Sequence, residues 1–590
     1  MAPNRLEKQP LLSPQDSPTL MLSPASKTFV LRSSILLFVA LIDLLVGCGV
    51  SQAMKNYMQD RLGYSFVATS SIRSTAACLG NLAPLLGAYI GDECWGPFRT
   101  AQVFGIVCVV TKFLLSFSAH PTILTDYLPL SNAIFLAILF VGNPLGNGCF
   151  TSNLVILGAD QLADATPKQK QLYFSNFYLL RNVGCIFAFT YLAYLSVNGM
   201  EPYIPATFGY FATFSVCSVL LAIAVGLFIY HSDSFVKRQP QDKAFTGFFA
   251  TIYTSTQVCP ELKSIIGGFA LFLASFFLNV AAILTDPKTE TSHFLSYAAG
   301  ALVVLGMFLW IFNGMDPSYL DRHPTMSLSD AADLKSVLRL LPFASFLVVW
   351  LVMFDQFDSN YQSMTQQTDL RLGSGRDAPQ VPGSMLCLFD PLGLVILLPL
   401  LDHVIFPWIE SKRGKPPSPY EKVLAGLSFG VVNMLWTAQV EVWRRDSGPI
   451  DLGDGLGPLL DLGSHQPMNN LPWTYMIPTY LLHSLCESLI QVTALDVFYN
   501  YVPGHLKCTA QATRSFMGAM GENVASIFVL GFAKFIPDNI NHGHMEYLYY
   551  ALGAAALVNA AGFAFVMQRI QFGMHDKVDP FQHSVNAAVP

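Results

Sequence analysis

The chain has 590 residues, 52% of them hydrophobic and only 12% charged, where a soluble domain carries roughly 25% charged residues. Its net charge of −6 and the dispersal of its 33 Lys and Arg residues leave no basic face for nucleic acid. The 11 cysteines form no CxxC pair and no cluster at zinc-ligand spacing, and most, such as Cys78, Cys185 and Cys217, fall inside apolar runs, so neither a disulfide framework nor a metal site is indicated.

Residues 1–28 contain Pro10, Pro14, Pro18 and Pro24 and no apolar run. They read as a disordered cytoplasmic tail, since a signal peptide needs a continuous apolar stretch. Glu7, Leu11 and Leu12 make the acidic-x-x-x-Leu-Leu pattern that clathrin adaptors take as an address to lysosomes or endosomes. Ser13-Pro14, Ser17-Pro18 and Ser23-Pro24 are acceptors through which phosphate would change the charge of the tail.

Apolar blocks of bilayer-crossing length follow near 31–50, 67–91, 98–118, 133–157, 172–195 and 204–230, then 265–284 and 294–312, then 343–360, 384–407, 423–441, 472–500, 508–535 and 547–568. The predicted architecture is an all-α polytopic membrane protein of fourteen spans, grouped six, two and six. Its parts are an N-terminal six-helix bundle over 29–231, a linker with an inserted two-helix hairpin over 232–336, a C-terminal six-helix bundle over 337–570 and a C-tail over 571–590. An even count puts both termini on one side. Lys55, Arg61, Lys288, Arg371, Arg376, Arg444, Arg445 and Lys534 fall in loops of the opposite side, Arg73, Lys112, Arg181 and Arg514 lie within spans, and the other basic residues accompany the termini. The positive-inside rule therefore predicts cytoplasmic termini.

The turn after the second span, Gly87-Ala88-Tyr89-Ile90-Gly91-Asp92-Glu93-Cys94-Trp95-Gly96-Pro97-Phe98-Arg99-Thr100, has glycines for close helix approach and, in Asp92 and Arg99, charges able to pair or cap helix ends across it. It resembles the cytoplasmic gate motif of the major facilitator superfamily, with Pro97 where an arginine is usual. Asn153 to Gln161, ending Gly158-Ala159-Asp160-Gln161, and Phe174 to Gly184, with Phe177-Tyr178, Asn182 and Gly184 at its core, are similar to the two signatures of the proton-dependent oligopeptide transporter (POT) family. Asp333 to Pro342, Phe354-Asp355-Gln356, Phe389-Asp390-Pro391 to Asp402 and Ile477-Pro478 through Glu487 to Pro503 agree with that family in order. Within it the chain resembles most the peptide/histidine transporters of solute carrier family 15. The resemblance implies the major facilitator fold, two six-helix bundles around a cavity opened alternately to either side, with the hairpin 263–313 peripheral.

Where the family carries Glu-x-x-Glu-Arg in its first helix, this chain has Asp43-Leu44-Leu45-Val46-Gly47, and the fourth-helix lysine falls on Thr151. A substrate carboxylate would then need another cation. Arg181 and Arg514 are the candidates for this role; Arg73 joins them, pairs with Asp43 or Asp92, or snorkels, and Lys112 snorkels at a span end. Glu487 matches the glutamate that in relatives receives a substrate amino group by a charge-assisted bond. Tyr178, Asn182, Trp473 and Gln356 are expected to line the pocket. Asp43, Asp355 and Glu487 are the proton-coupling candidates, Asp92 and Arg99 the gate.

Two functions stay open on this reading. One is a secondary active transporter of small zwitterions, peptides or an amino acid such as histidine, moved with protons from an acidic organelle to the cytosol. The other is a transport-inactive scaffold or sensor on an endolysosomal membrane. No His-Glu-x-x-His, Gly-x-Ser-x-Gly or Gly-Lys-Thr/Ser loop occurs, so neither an enzyme nor an ATP-driven pump is expected, and no cofactor is implied.

Overall fold

The computed structural model describes residues 24–162, 167–240, 246–259, 261–285, 289–322, 328–502 and 507–570. Glu7, Leu11 and Leu12 lie outside the described residues. Fourteen long helical segments run back and forth: α1 (Pro24–Asp60), α2 (Phe66–Tyr89), α3 (Pro97–Ser118), α4 (Leu128–Gly158), α5 (Pro167–Phe187, continued to Asn198), α6 (Gly209–Tyr230), α7 (Leu262–Leu284), α8 (Glu290–Met315), α9 (Ala331–Gln366), α10 (Gly383–Arg413), α11 (Pro419–Asp446), α12 (Ile477–Asn500), α13 (Lys507–Gly531) and α14 (Glu546–Ile570). Among the described residues twelve helices are long and apolar enough to cross a bilayer. The two others, α2 and α13, are of similar length but carry polar runs, Thr69-Ser70-Ser71 in the first and Lys507 to Arg514 in the second. These two helices lie against each other, which buries Thr69, Ser70 and Ser71 in protein and keeps them from lipid.

Local sequence sets the helix ends. Ser65 caps α2 by accepting the Ala68 N–H, Pro97 opens α3 after Gly96 at a φ of 81°, and α11 begins with a full capping box between Ser418 and Glu421, with Pro419 in the first turn. Wider π-helical turns interrupt several helices, among them Ile138–Gly142 and Pro144–Gly148 in α4 and Phe357–Tyr361 in α9. Such turns re-aim side chains within a continuous helix.

One apolar core joins α1, α3, α4 and α6 through residues such as Leu36, Cys108, Phe150 and Phe214. A second joins the C-terminal helices and the α7–α8 hairpin. The two halves meet where α2 lies along α13 and α5 along α10. The hairpin is fastened to α13: Asn279 donates to Asn523 Oδ1 at 2.9 Å, Asn523 donates to Ser275 at 3.0 Å, and Phe516 packs against Phe269, Phe272 and Trp310. The segment expected as a polar linker contains a helix of its own, Thr246–Val258, whose first residue is held by Glu93.

Candidate functional site

We call the end of the molecule at which α1 finishes the distal end. There α1 continues to Asp60, well past the predicted limit at residue 50. Lys55 is therefore not a loop residue: it is fully buried, lies 4.2 Å over the Phe66 ring and donates to the Ser359 carbonyl. Beside it Gln362 donates to the Gln52 carbonyl at 3.0 Å, and Gln366 to Asn56. Asp538 accepts the Phe66 N–H at 2.8 Å, and His465 reaches Asp60 at 3.3 Å. The distal end is thus stitched across the two bundles by polar contacts.

Deeper along the same seam, Arg73 pairs with Asp355 at 3.0 Å, and the Ser74 hydroxyl donates to the other oxygen of that carboxylate at 2.9 Å. The partner expected for Arg73 was Asp43 or Asp92; the turn of α9 brings Asp355 to it instead. Gln356 faces inward but does not line a cavity: it is fully buried, its amide donating to the Val352 carbonyl and its oxygen accepting from Asn360.

Glu487 stands roughly 15 Å along α12 from its distal start, counting about 1.5 Å per residue, close to the middle of a bilayer about 30 Å thick. It is half-buried, and the Tyr178 hydroxyl of α5 donates to it at 3.4 Å. One helical turn further along α5, Asn182 is buried and donates back to the Tyr178 carbonyl at 3.0 Å, while Arg181 lies over the Phe177 ring at 5.5 Å with its Nε buried and unbonded. Arg514 is half-buried on α13. Tyr178 of the N-terminal bundle and the acid of α12 thus meet at mid-membrane depth. Trp473 stands apart from it, roughly 20 Å along the chain axis from Glu487, against Phe389 and the distal loop residues Leu370, Ile450, Leu459 and Met468.

Asp43 is buried and accepts the Thr151 hydroxyl at 2.9 Å, so two of the positions where this chain departs from the family pattern are in contact. Lys112 is a correction to the expectation. It does not snorkel: it is 5% exposed, points into the N-terminal bundle and donates to Asn143 in the π-helical part of α4 at 2.8 Å. At the opposite, proximal end Asp92 pairs with Arg238 at 2.6 Å, with Asp160 also near that guanidinium, whereas Arg99 is exposed and stacks over Trp95. The expected Asp92–Arg99 gate pair is not formed.

Sequence reasoning reached one grouping only in part. Asp390 of α10 and His483 and Glu487 of α12 place a ligand atom each within 4.8 Å of one another. The four-residue spacing of His483 and Glu487 puts them on one helix face, but nothing local to the sequence links Asp390 to that face.

A helical membrane protein with two bundles, a cross-bundle seam and a charged mid-membrane site is a transporter of the major facilitator fold. The POT family pattern matches residues 98–542, and the chain belongs to that family; it is a membrane transporter by family and not an enzyme. It is 22% identical over 548 residues to NRT1/PTR family protein 8.3 of Arabidopsis thaliana, covering 88% of each chain. To protein 8.1 of the same family and organism it is 23% identical over 566 residues, covering 89% of this chain and 90% of that one. Among solved structures, an auto-inhibited POT family peptide transporter superposes with a TM-score of 0.68 at 17% identity, covering 93% of this chain and 98% of that one. A POT family transporter in complex with 5-aminolevulinic acid superposes with a TM-score of 0.64 at 13% identity, covering 91% and 96%.

Proposed function

We propose that this protein is a proton-coupled secondary transporter of small zwitterions, peptides or amino acids such as histidine, working by alternating access. The observation that carries the reading is the contact of Tyr178 with Glu487 across the two bundles at mid-membrane depth, with Arg181 on the same helix as Tyr178 and its Nε buried and unbonded. A substrate ammonium on Glu487 and a carboxylate between the arginines would each gain a charge-assisted bond that offsets desolvation. Tyr178 and Asn182 complete the lining. The relative solved with 5-aminolevulinic acid holds a ligand of this chemical kind.

With the termini in the cytoplasm, the distal end faces the lumen or exterior, and its cross-bundle stitching makes the described conformation closed on that side. Asp43 and Asp355 then serve as proton carriers, Asp355 by releasing Arg73 when protonated. Arg238 takes the partner role at the Asp92 gate that the sequence had suggested for Arg99. We place the protein in lysosomal or endosomal membranes on the Glu7, Leu11, Leu12 signal, with a clathrin adaptor as the partner that reads it. The retained acid at 487 and the arginines within the spans favour transport over a scaffold, which needs neither.

The test is uptake of labelled histidine and dipeptides into vesicles of reconstituted protein, with and without an inward proton gradient, comparing wild type with Glu487→Gln. Gradient-stimulated uptake lost in the variant is the expected result. No uptake by folded, correctly oriented wild type would overturn it in favour of the scaffold.

A further inference from the structure

The Asp390, His483 and Glu487 grouping has a chemistry that zwitterion binding does not use. Three ligand atoms, one imidazole nitrogen and two carboxylate oxygens, lie within 4.8 Å of one another. Two carboxylates this close in a partly dry region repel unless a proton or a cation is shared between them. Asp390 is already oriented, because the Ser484 hydroxyl donates to its Oδ1 at 2.9 Å.

His483 adds an unmet nitrogen beside the two acids. Its side chain is 1% exposed and its Nε2 has no hydrogen-bond partner. The ring is fixed in an aromatic enclosure, stacked on Phe357 at 5.2 Å and flanked by Phe354 at 5.1 Å and Trp350 at 5.7 Å. A buried imidazole held rigidly beside two acids, with an unmet nitrogen, is an arrangement that a transition-metal ion satisfies and that ordinary core packing does not require.

We infer that Asp390, His483 and Glu487 form a binding site for a divalent transition-metal ion of the zinc type. The imidazole selects zinc and its neighbours over calcium or magnesium, which prefer oxygen donors alone. Two carboxylates supply the charge that neutralises the ion. Metal–ligand bonds of about 2.0–2.2 Å at tetrahedral angles set donors roughly 3.4 Å apart, so binding draws the three ligand atoms together from the separations of up to 4.8 Å found here. Because Glu487 is shared, metal and substrate ammonium would be alternative occupants, but binding of the ion itself does not depend on the transport reading.

The experiment uses the full-length protein without a polyhistidine tag, stripped by chelator in detergent and titrated with Zn2+ against a fluorescent zinc chelator. One equivalent is expected to bind, with affinity at least tenfold weaker in His483→Phe and in Asp390→Asn, and X-ray absorption of the bound zinc should show a single imidazole in its shell. His483→Phe preserves the aromatic packing; should it fail to fold, Asp390→Asn and Glu487→Gln decide the matter. Absence of stoichiometric binding, or undiminished binding in the folded variants, would overturn the inference whatever the transport assay gives.

Discussion

The Arg73 guanidinium and the Asp355 carboxylate meet at 3.0 Å across the seam between the two bundles, with side-chain exposures of 8% and 1%. Removing one member of a buried pair leaves the other uncompensated, at a cost of about 3–5 kcal/mol. Asp355→Asn is expected to lower the thermal midpoint clearly and to make cysteines introduced at Gln362 or Gln366 accessible to a membrane-impermeant thiol reagent from the distal side. An apolar double replacement, Arg73→Met with Asp355→Leu, should recover much of the stability. Labelling of the Asp355→Asn protein no faster than wild type would show that this pair does not hold the seam shut.

Arg514→Gln tests the anionic end of the site. A hydrogen bond to a charged group contributes about 1.5–3 kcal/mol, so a substrate with a free carboxylate should bind roughly 10- to 100-fold more weakly, while its amidated analogue changes little. Equal losses for both, measured by competition against a labelled substrate, would place Arg514 in packing alone.

The contact of Thr151 with Asp43 predicts a graded result for coupling. Asp43→Asn should abolish stimulation by a proton gradient while leaving substrate exchange across equilibrated vesicles. Thr151→Val removes one hydrogen bond worth about 1 kcal/mol and should reduce stimulation only several-fold. Gradient stimulation that survives Asp43→Asn intact would move the proton carrier to another residue.

Two carboxylates of the distal loops, both outside the spans, respond to pH with opposite sign. Arg376 grips Asp454 with bonds of 2.6 and 2.7 Å, and this contact, with the Leu456 N–H, holds its pKa below the ordinary value. Its contribution is present above about pH 3.9 and is lost as the pH falls through the lower folded value. Burial raises Asp461, outweighing the bonds it accepts from Ser464 and Gly463. Its contribution is complete below about pH 3.9 and is lost as the pH rises through the raised folded value. Asp461→Asn should therefore flatten a loss of loop protection toward neutral pH, and Asp454→Asn a loss toward strong acid, both read by hydrogen exchange of residues 450–468.

Much of this was legible in the sequence. Long apolar blocks located the spans, and ordered motifs located the family, because both signals are local. Glu487, Tyr178 and Asn182 were visible as motif residues on two helices. The pairings were not. Lys112 sits near a span end in sequence, yet its direction depends on a π-helical turn in α4 that offers it Asn143. Arg73 and Arg238 found partners 282 and 146 residues away, distances over which no helical periodicity carries information. Lys55 counted as a loop charge because hydropathy falls before the helix does: the last turns of α1 are polar since they face the other bundle rather than lipid.

The asparagine clasp between α7 and α13 has a mechanical consequence. A hairpin fastened to α13 must travel with it, and its outer surface carries Phe277, Phe294, Phe308 and Phe312, all more than half exposed. Any rocking of the C-terminal bundle therefore sweeps a broad apolar blade through the acyl chains, so the bilayer itself acts as a brake, and turnover should slow as the lipid becomes more viscous.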